Sequence, residues 1–377
     1  MKRKLIALTL AISAVLSSTT MADQKIVTKR TYVNPVTVNK KEGTTAVDKK
    51  SITVEEAVEK AIAYSSTLKS AKENQEVAKL NLDDASFAFM YATEWAESDA
   101  LAATVQNLNM AIRNYKSTQE TTKQSIEYNV KKIFYGILDC KRNIKLYEES
   151  IALQEKNLKI ADVQYKLGKI SKTEYDAQYS AYETAKTNKK ALENALNTTY
   201  ASLNVLMGTN ITTEYDIIVD TPEYRELGNI NVENAMNYAV STNATLKSAE
   251  DNAQTKKYAL ERYSSVNSSS KREEVLYAYS AATRSVDNTR ASIQSAVKTL
   301  CENISAQEQT HRDNIKNLAT ETDKLTVLET QYKLGKTTQV AVDAQQLAVD
   351  KLKATIESEV FAHDLLVMQY NNSNLLI

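Results

Sequence analysis

Apolar side chains recur every seven residues through the middle of the chain. One stripe consists of Val130, Ile137, Ile144, Ile151, Leu158 and Tyr165, and a second consists of Leu146, Leu153, Ile160 and Leu167. A seven-residue apolar repeat sustained over this length predicts a left-handed coiled coil. At ~1.5 Å per residue, the segment 125–165 alone would be about 60 Å long. This part of the chain is therefore predicted to be a rod.

Two glycines interrupt the long helical segments. Gly168 and Gly335 each follow an apolar run and precede a lysine, and a helical pattern then restarts at Ser171 in the first case and at 337–339 (TTQ) in the second. Glycine suits the left-handed residue that closes a helix, and Ser or Thr caps the helix that follows. Both glycines are therefore predicted to be tips of antiparallel helical hairpins.

The hairpins belong to two copies of one unit. The segment 67–71 (TLKSA) recurs unchanged at 245–249, an offset of 178, and 164–169 (QYKLGK) recurs at 331–336, an offset of 167. The difference predicts 11 extra residues in the first copy, between about 77 and 125. Each copy is predicted to contain a short helix, a second helix, a very long helix and a return helix.

The domain boundaries follow from this repeat and from the flanking segments. A basic start, an apolar run and small residues at 1–22 predict a signal peptide, and 23–50 a flexible tail. The first helical-hairpin repeat is predicted at 51–207, a crossover linker with one short strand at 208–229, and the second repeat at 230–377. Only six Gly and two Pro occur in 377 residues, which favours few turns and long helices.

Charge and motifs give no indication of catalysis. Without the three basic residues of the signal, the number of Lys and Arg residues falls from 47 to 44, against 47 acidic residues. The chain thus has no excess of positive charge that would indicate nucleic-acid binding. The two histidines, His311 and His363, have no partner at metal-ligand spacing and are predicted to be surface residues. No catalytic, metal or cofactor-binding motif is present, so we do not expect an enzyme. Cys140 and Cys301 differ by about 9 Å in height on equivalent helices, which disfavours a disulfide.

The repeated order of helices, with a Tyr-x-x-Gly tip, resembles the outer-membrane efflux protein (TolC-like) family over residues 51–375. The resemblance implies an all-α fold of long antiparallel coiled-coil hairpins in two tandem repeats. It also implies a homotrimeric tube in the outer membrane or periplasm that conducts substrates passively. A periplasmic adaptor and an inner-membrane pump would engage the hairpin tips and supply the energy for secretion.

The same resemblance implies which residues lie at the entrance or contact the adaptor. These are Tyr165, Gly168, Lys169, Glu174, Asp176, Tyr332, Gly335, Lys336 and Asp343. The family commonly has an acidic residue six positions after the tip glycine. Glu174 occupies that position in the first copy, but Ala341 replaces it in the second, where Asp343 lies two residues later.

One departure from the family concerns its membrane strands, which lie between the second helix and the long helix. The segment 81–124 has no Gly or Pro to turn a hairpin. Alternating aromatic residues at 87–95 resemble a strand, but the Ala, Met and Glu between them favour helix. The β-barrel strands are therefore expected to be reduced or absent. This leaves an alternative function, a barrel-less coiled-coil envelope scaffold or binding protein; a periplasmic adaptor is less favoured, because the chain lacks room for its β-rich domains.

Overall fold

A computed structural model describes residues 50–376 except 264–268, and side chains except at 95–96 and 263–271. The predicted signal peptide and all but the last residue of the predicted tail lie outside the described residues. The first copy contains α1 (Val54–Tyr64), α2 (Ser66–Tyr91), α3 (Trp95–Lys166) and α4 (Lys172–Met207). The second contains α5 (Val232–Thr242), α6 (Ala244–Tyr263), α7 (Ser269–Lys333) and α8 (Gln339–Asn371), followed by a 3-10 turn (Ser373–Leu375). Two short strands, β1 (Ser51–Thr53) and β2 (Asp216–Ile218), complete the fold.

The predicted rods are the two longest helices. α3 has 72 residues and α7 has 65, so they are about 108 Å and 98 Å long at ~1.5 Å per residue. α2 is also longer than its counterpart α6, with 26 residues against 20. The extra residues of the first copy therefore lengthen these two helices.

The helices pack side by side as a single layer. In the half nearest the hairpin tips the order is α4, α3, α8, α7, and in the other half it is α2, α3, α6, α7. α3 and α8 therefore lie in the middle, whereas α4 and α7 form the two edges of the hairpin half. The all-α fold of long antiparallel hairpins is confirmed.

A compact core lies near the middle of the rod. Phe134 and Ile137 of α3 pack there with Ile52 and Leu203, and all four side chains are fully buried. β1 pairs in parallel with β2 beside this core. The strand predicted in the linker is confirmed, but β1 was not predicted. Its last residue also caps α1, because the Thr53 hydroxyl accepts a hydrogen bond from the Glu56 amide at 3.3 Å.

The segment that resembles a strand is helical. α2 continues through Phe87 to Tyr91, and only residues 92–94 interrupt the helix before α3. Phe87, Met90 and Tyr91 are exposed, and the rings of Phe87 and Tyr91 lie 4.7 Å apart. The preference for helix over strand is confirmed here, while residues 264–268 of the second copy lie outside the described part. Within the described residues, every helix is too short or too polar to cross a membrane.

Both cysteines are free thiols. Cys140 on α3 is half-buried and Cys301 on α7 is buried. Burial raises the pKa of each thiol, which disfavours the reactive thiolate.

Candidate functional site: the hairpin tips and the seam between them

Both hairpin tips have the same backbone turn. Gly168 and Gly335 have φ of +67°, in the left-handed region. The Lys169 amide donates to the Gln164 carbonyl at 2.8 Å and the Gly168 amide donates to the Tyr165 carbonyl at 2.9 Å. The same two bonds, with the same lengths, close α7 at Gly335. This is a Schellman motif, so both glycines predicted as turns lie where the backbone requires a residue without Cβ.

The two return helices begin differently. In the first tip, Ser171 and Glu174 form a capping box: the Glu174 amide donates to the Ser171 hydroxyl, and the Glu174 carboxylate accepts from the Ser171 amide at 2.8 Å. Hydrogen bonds from the Ser171 amide and then the Ser171 hydroxyl to this carboxylate hold the pKa of Glu174 below its usual value. In the second tip Thr338 alone caps α8, because Ala341 has no carboxylate to return the bond. Glu174 thus has a local structural role at the tip.

Each tip exposes a leucine and a lysine side by side. Leu167 and Leu334 are both 64% exposed, and Lys169 and Lys336 are also exposed. No ion pair involves either lysine within the described residues. Each tip thus presents an exposed apolar side chain beside a cation on the same backbone turn.

The two tip tyrosines have different surroundings. Tyr165 stacks on Tyr175 of the return helix, with ring centroids 5.5 Å apart. Tyr332 is 44% exposed, and the position equivalent to Tyr175 holds the buried Val342. Asp176 is exposed at the start of α4.

Asp343 faces the other hairpin. Its carboxylate pairs with Lys156 of α3 at 2.6 Å and accepts a hydrogen bond from Gln339 at 2.8 Å. These interactions hold the pKa of Asp343 below its usual value, with the Lys156 hydrogen bond as the main cause. Of the predicted site residues, Asp343 is the one that the structure places in a contact between the two hairpins.

A ladder of polar contacts continues along this seam between α3 and α8. Asp364 pairs with Lys131 at 2.8 Å and accepts from the Tyr135 hydroxyl at 2.7 Å. Between this contact and the tips, Arg142 pairs with Glu357 at 2.8 Å. Burial is the main cause that raises the pKa of Tyr135, and the hydrogen bond to Asp364 and the charge of its carboxylate raise it further. Sequence reasoning missed these residues because each pair joins the first copy to the second, and no local pattern marks them.

The prediction that both histidines lie on the surface is wrong. His311 and His363 are only 7% and 3% exposed. His311 Nδ1 lies 3.1 Å from Glu359, and His363 Nε2 lies 3.2 Å from Glu308. The repeat contains a signal for their burial, because at the offset of 167 the equivalents of the histidines are the apolar residues Ile144 and Leu196.

The described residues contain no group of three or more His, Cys, Asp or Glu side chains arranged to hold a metal ion. The tips and the seam instead arrange side chains for contacts between helices.

Two tandem long hairpins with glycine tips, packed as one layer, constitute the TolC-like fold of outer-membrane efflux channels, as the sequence resemblance predicts. The Campylobacter jejuni CmeC outer membrane channel is similar with a TM-score of 0.62 at 9% identity, over 85% of each chain. The outer membrane protein VceC of Vibrio cholerae gives 0.61 at 10% identity, over 84% of this chain and 95% of its own. The open MtrE channel of Neisseria gonorrhoeae gives 0.53 at 12% identity, over 85% and 88%. No family model and no curated protein sequence matches the chain, so the similarity is one of fold.

Proposed function

We propose that the protein is a component of an efflux duct in the cell envelope. Copies of the chain would close into a tube of helices that conducts substrates passively, with no catalytic step of its own. Three copies are proposed on the resemblance to the TolC-like family. An adaptor and a pump would dock at the tips and supply the energy.

The observation that carries this proposal is the relation between the seam inside the chain and the two edges of the helical layer. α3 and α7 are equivalent long helices, and α4 and α8 are equivalent return helices. Inside the chain α8 packs on α3, while α4 and α7 lie at opposite edges. The repeat therefore allows α4 of one protomer to pack on α7 of the next protomer in the same way that α8 packs on α3. A head-to-tail contact of this kind closes into a ring when its rotation permits.

Apolar positions near the tips support a further contact. The stripe that is buried at Val130 and Ile137 becomes partly exposed toward the tip, where Tyr165 is 41% exposed. In the second stripe Leu153 is buried, whereas Ile160 and Leu167 are exposed. A coiled-coil stripe normally buries its apolar positions against another helix. Neighbouring copies or a docked partner would cover these side chains.

Cross-linking tests the ring directly. Ser358 of α8 donates to Asp139 of α3 at 2.7 Å, and the equivalent positions on the two edges are Ala191 of α4 and Ala306 of α7. Both alanines are exposed in the single chain. A double variant Ala191→Cys/Ala306→Cys, with Cys140 and Cys301 replaced by Ser, should oxidise to covalent species of three chains. Each single-cysteine variant is the matched control and should give dimers at most.

A chain that stays monomeric after oxidation at micromolar concentration, with and without detergent, would contradict the duct. Light scattering on the unmodified protein gives the same information without mutation. The expected result is a particle of three protomers.

The second candidate function is a coiled-coil scaffold or binding protein of the envelope. The observation that favours it is the helical conformation of α2 through Tyr91, where the family has membrane strands. A scaffold would be recovered in the fraction extracted without detergent, and it would conduct no substrate. Fractionation of the native protein separates the two candidates, since a duct is expected to remain with the outer membrane until detergent releases it.

A further inference from the structure

The end of the rod opposite the glycine tips carries a continuous apolar segment. It is formed by the last five residues of α2, 87–91 (FAFMY), which we call the aromatic turn. All five residues are exposed, and the four large side chains are between 43% and 71% exposed. Single exposed apolar residues are ordinary on protein surfaces, whereas a contiguous exposed group marks a contact site.

The apolar side chains surround the helix rather than line one face of it. An α-helix has about 3.6 residues per turn, so five consecutive positions pass once around the axis. Ala78 and Ala85 are buried on the side of α2 that faces α3, and Phe89 follows Ala85 by four residues on that side. Phe89 is nevertheless exposed. A second protein covers one face of a helix, whereas lipid encloses a helix end on every side. The distribution of apolar residues therefore favours lipid.

The surroundings of the aromatic turn are acidic. Residues 80–112 contain five carboxylates and neither Lys nor Arg. One of the five, Asp99, pairs with Arg262 of α6 at 3.4 Å. The others have no ion pair within the part of the chain that the structure describes: Asp83, Asp84, Glu94 and Glu97. A matching partner offers cations beside an apolar phase. Zwitterionic lipids offer both, because their headgroups carry ammonium groups that carboxylates and aromatic ring faces attract.

The carboxylates on either side limit the depth of the contact. Asp84 lies three residues before Phe87, and Glu94 lies three residues after Tyr91. Five helical residues span about 7.5 Å, against about 30 Å for the hydrocarbon core of a bilayer. Charged side chains are costly in hydrocarbon, so both carboxylates stay at the level of the headgroups. The aromatic turn therefore reaches the interface of one leaflet, where tyrosine and tryptophan side chains are enriched.

We propose that the aromatic turn anchors this end of the rod in the interface of a zwitterionic lipid leaflet. Phe87, Met90 and Tyr91 enter the boundary between headgroups and acyl chains, and the flanking carboxylates face the ammonium groups. The inference concerns a single chain and does not depend on the proposed duct. The chain can form a ring without this contact, and it can bind lipid without forming a ring.

Fluorescence quenching tests the contact on the unmodified protein. The sequence contains one tryptophan, Trp95, which begins α3 directly after the aromatic turn and residues 92–94. Protein purified from the cell envelope is mixed with vesicles of phosphatidylcholine and phosphatidylethanolamine in which part of the lipid is brominated. Bromine near the headgroups should quench the fluorescence more than bromine deep in the acyl chains. Absence of quenching by both lipids, or stronger quenching by the deep bromines, would overturn the proposal.

Flotation with the same vesicles measures the partition coefficient. Phe87→Ser/Met90→Ser/Tyr91→Ser should lower it at least about tenfold, because three large apolar side chains leave the interface. The matched control Val205→Ser/Ile211→Ser/Val327→Ser removes three exposed apolar side chains elsewhere and should leave it unchanged. An equal loss in both variants would refute the assignment to the aromatic turn. Added anionic phosphatidylglycerol should weaken binding, and stronger binding would contradict the role of the carboxylates.

A contact between copies of the chain is the competing explanation for the exposed aromatic turn. Light scattering without vesicles separates the two explanations. If the three serine substitutions at 87, 90 and 91 break up the wild-type assembly and leave the partition coefficient unchanged, the aromatic turn is a protein interface and the proposal fails. An unchanged assembly with a lowered partition coefficient supports the lipid contact. The quenching experiment needs no substitution, so it decides the question even if this variant folds poorly.

Discussion

Gly208 should tolerate alanine much less well than the tip glycines do. All three have φ of +67°, where a Cβ atom costs about 1–2 kcal/mol. At Gly168 and Gly335 an added Cβ has no neighbour within 4 Å, so this backbone cost is the whole expected effect. At Gly208 the Cβ would lie 2.2–2.5 Å from three ring atoms of Tyr64.

The clash at Gly208 can be relieved only in part. Tyr64 is 57% exposed, so its ring has room to move. One of the three close atoms is Cγ, at 2.4 Å, and Cγ is bonded directly to the tyrosine Cβ. Relief therefore requires a change of χ1 rather than a ring flip. Overpacking of this kind costs about 1–3 kcal/mol, which brings Gly208→Ala to roughly 2–5 kcal/mol in total.

Urea unfolding at fixed protein concentration measures the difference. Gly208→Ala should lower the free energy of unfolding by at least about 1 kcal/mol more than Gly168→Ala does. In a Tyr64→Ala background the excess should vanish, because the double-mutant cycle isolates the steric contact. If the two glycine variants are equally stable, or the excess persists without Tyr64, the steric explanation is refuted.

Three further predictions concern single contacts. Ser171→Ala should cost about 0.5–2 kcal/mol in local stability and increase hydrogen exchange in the first turn of α4. Because the pKa of Glu174 is lowered, the stability that its carboxylate contributes to the cap is present above the usual carboxyl range and is lost as pH falls through the lowered pKa. At low pH, hydrogen exchange should therefore rise more in the first turn of α4 than in that of α8. An equal rise in both helices would contradict this. Lys156→Met should widen the distribution of distances between spin labels at 169 and 336, because it removes the ion pair between the two hairpins. A double-mutant cycle of Lys156→Met with Asp343→Asn should give a coupling energy of only about 0.2–1 kcal/mol, since the Lys156 side chain is 54% exposed. Gly136→Ala should raise the free energy of unfolding by about 0.5–1 kcal/mol, because the new methyl meets only Thr199 Cγ2 at 3.7 Å inside a helix; destabilisation would refute it.

The fold was predictable because its signals are local and repeated. The heptads of α3 and the glycines at 168 and 335 act on the backbone within a few residues, and the recurrence of QYKLGK shows that the chain uses the turn twice. β1 was missed because so short a strand has no periodicity, and its partner β2 lies beyond all four helices of the first copy. Secondary structure was thus easier to predict than pairing.

The site was predictable only where the chain turns. The tip geometry follows from Gly168 and Ser171, but the seam depends on which helix lies beside α3. The histidines were mispredicted because each was considered alone; comparison with Ile144 and Leu196 would have indicated burial. The same comparison explains why equivalent positions differ: Phe361 of the central α8 is buried against Tyr135, whereas its counterpart Asn194 lies on the edge helix α4 and is exposed.

Applied to the proposed ring, the repeat also distinguishes its two kinds of seam. Inside the chain Lys156 pairs with Asp343 near the tips. The equivalent positions on the edges are Asp323 of α7 and Asp176 of α4, and both are exposed. The seam between two protomers would therefore bring two carboxylates together. Like charges oppose close contact, so we expect the tips of neighbouring protomers to separate before the two tips within one protomer do. Asp323→Lys should restore the attraction and strengthen assembly at low salt, and an unchanged or weaker assembly would argue against this packing of α4 on α7.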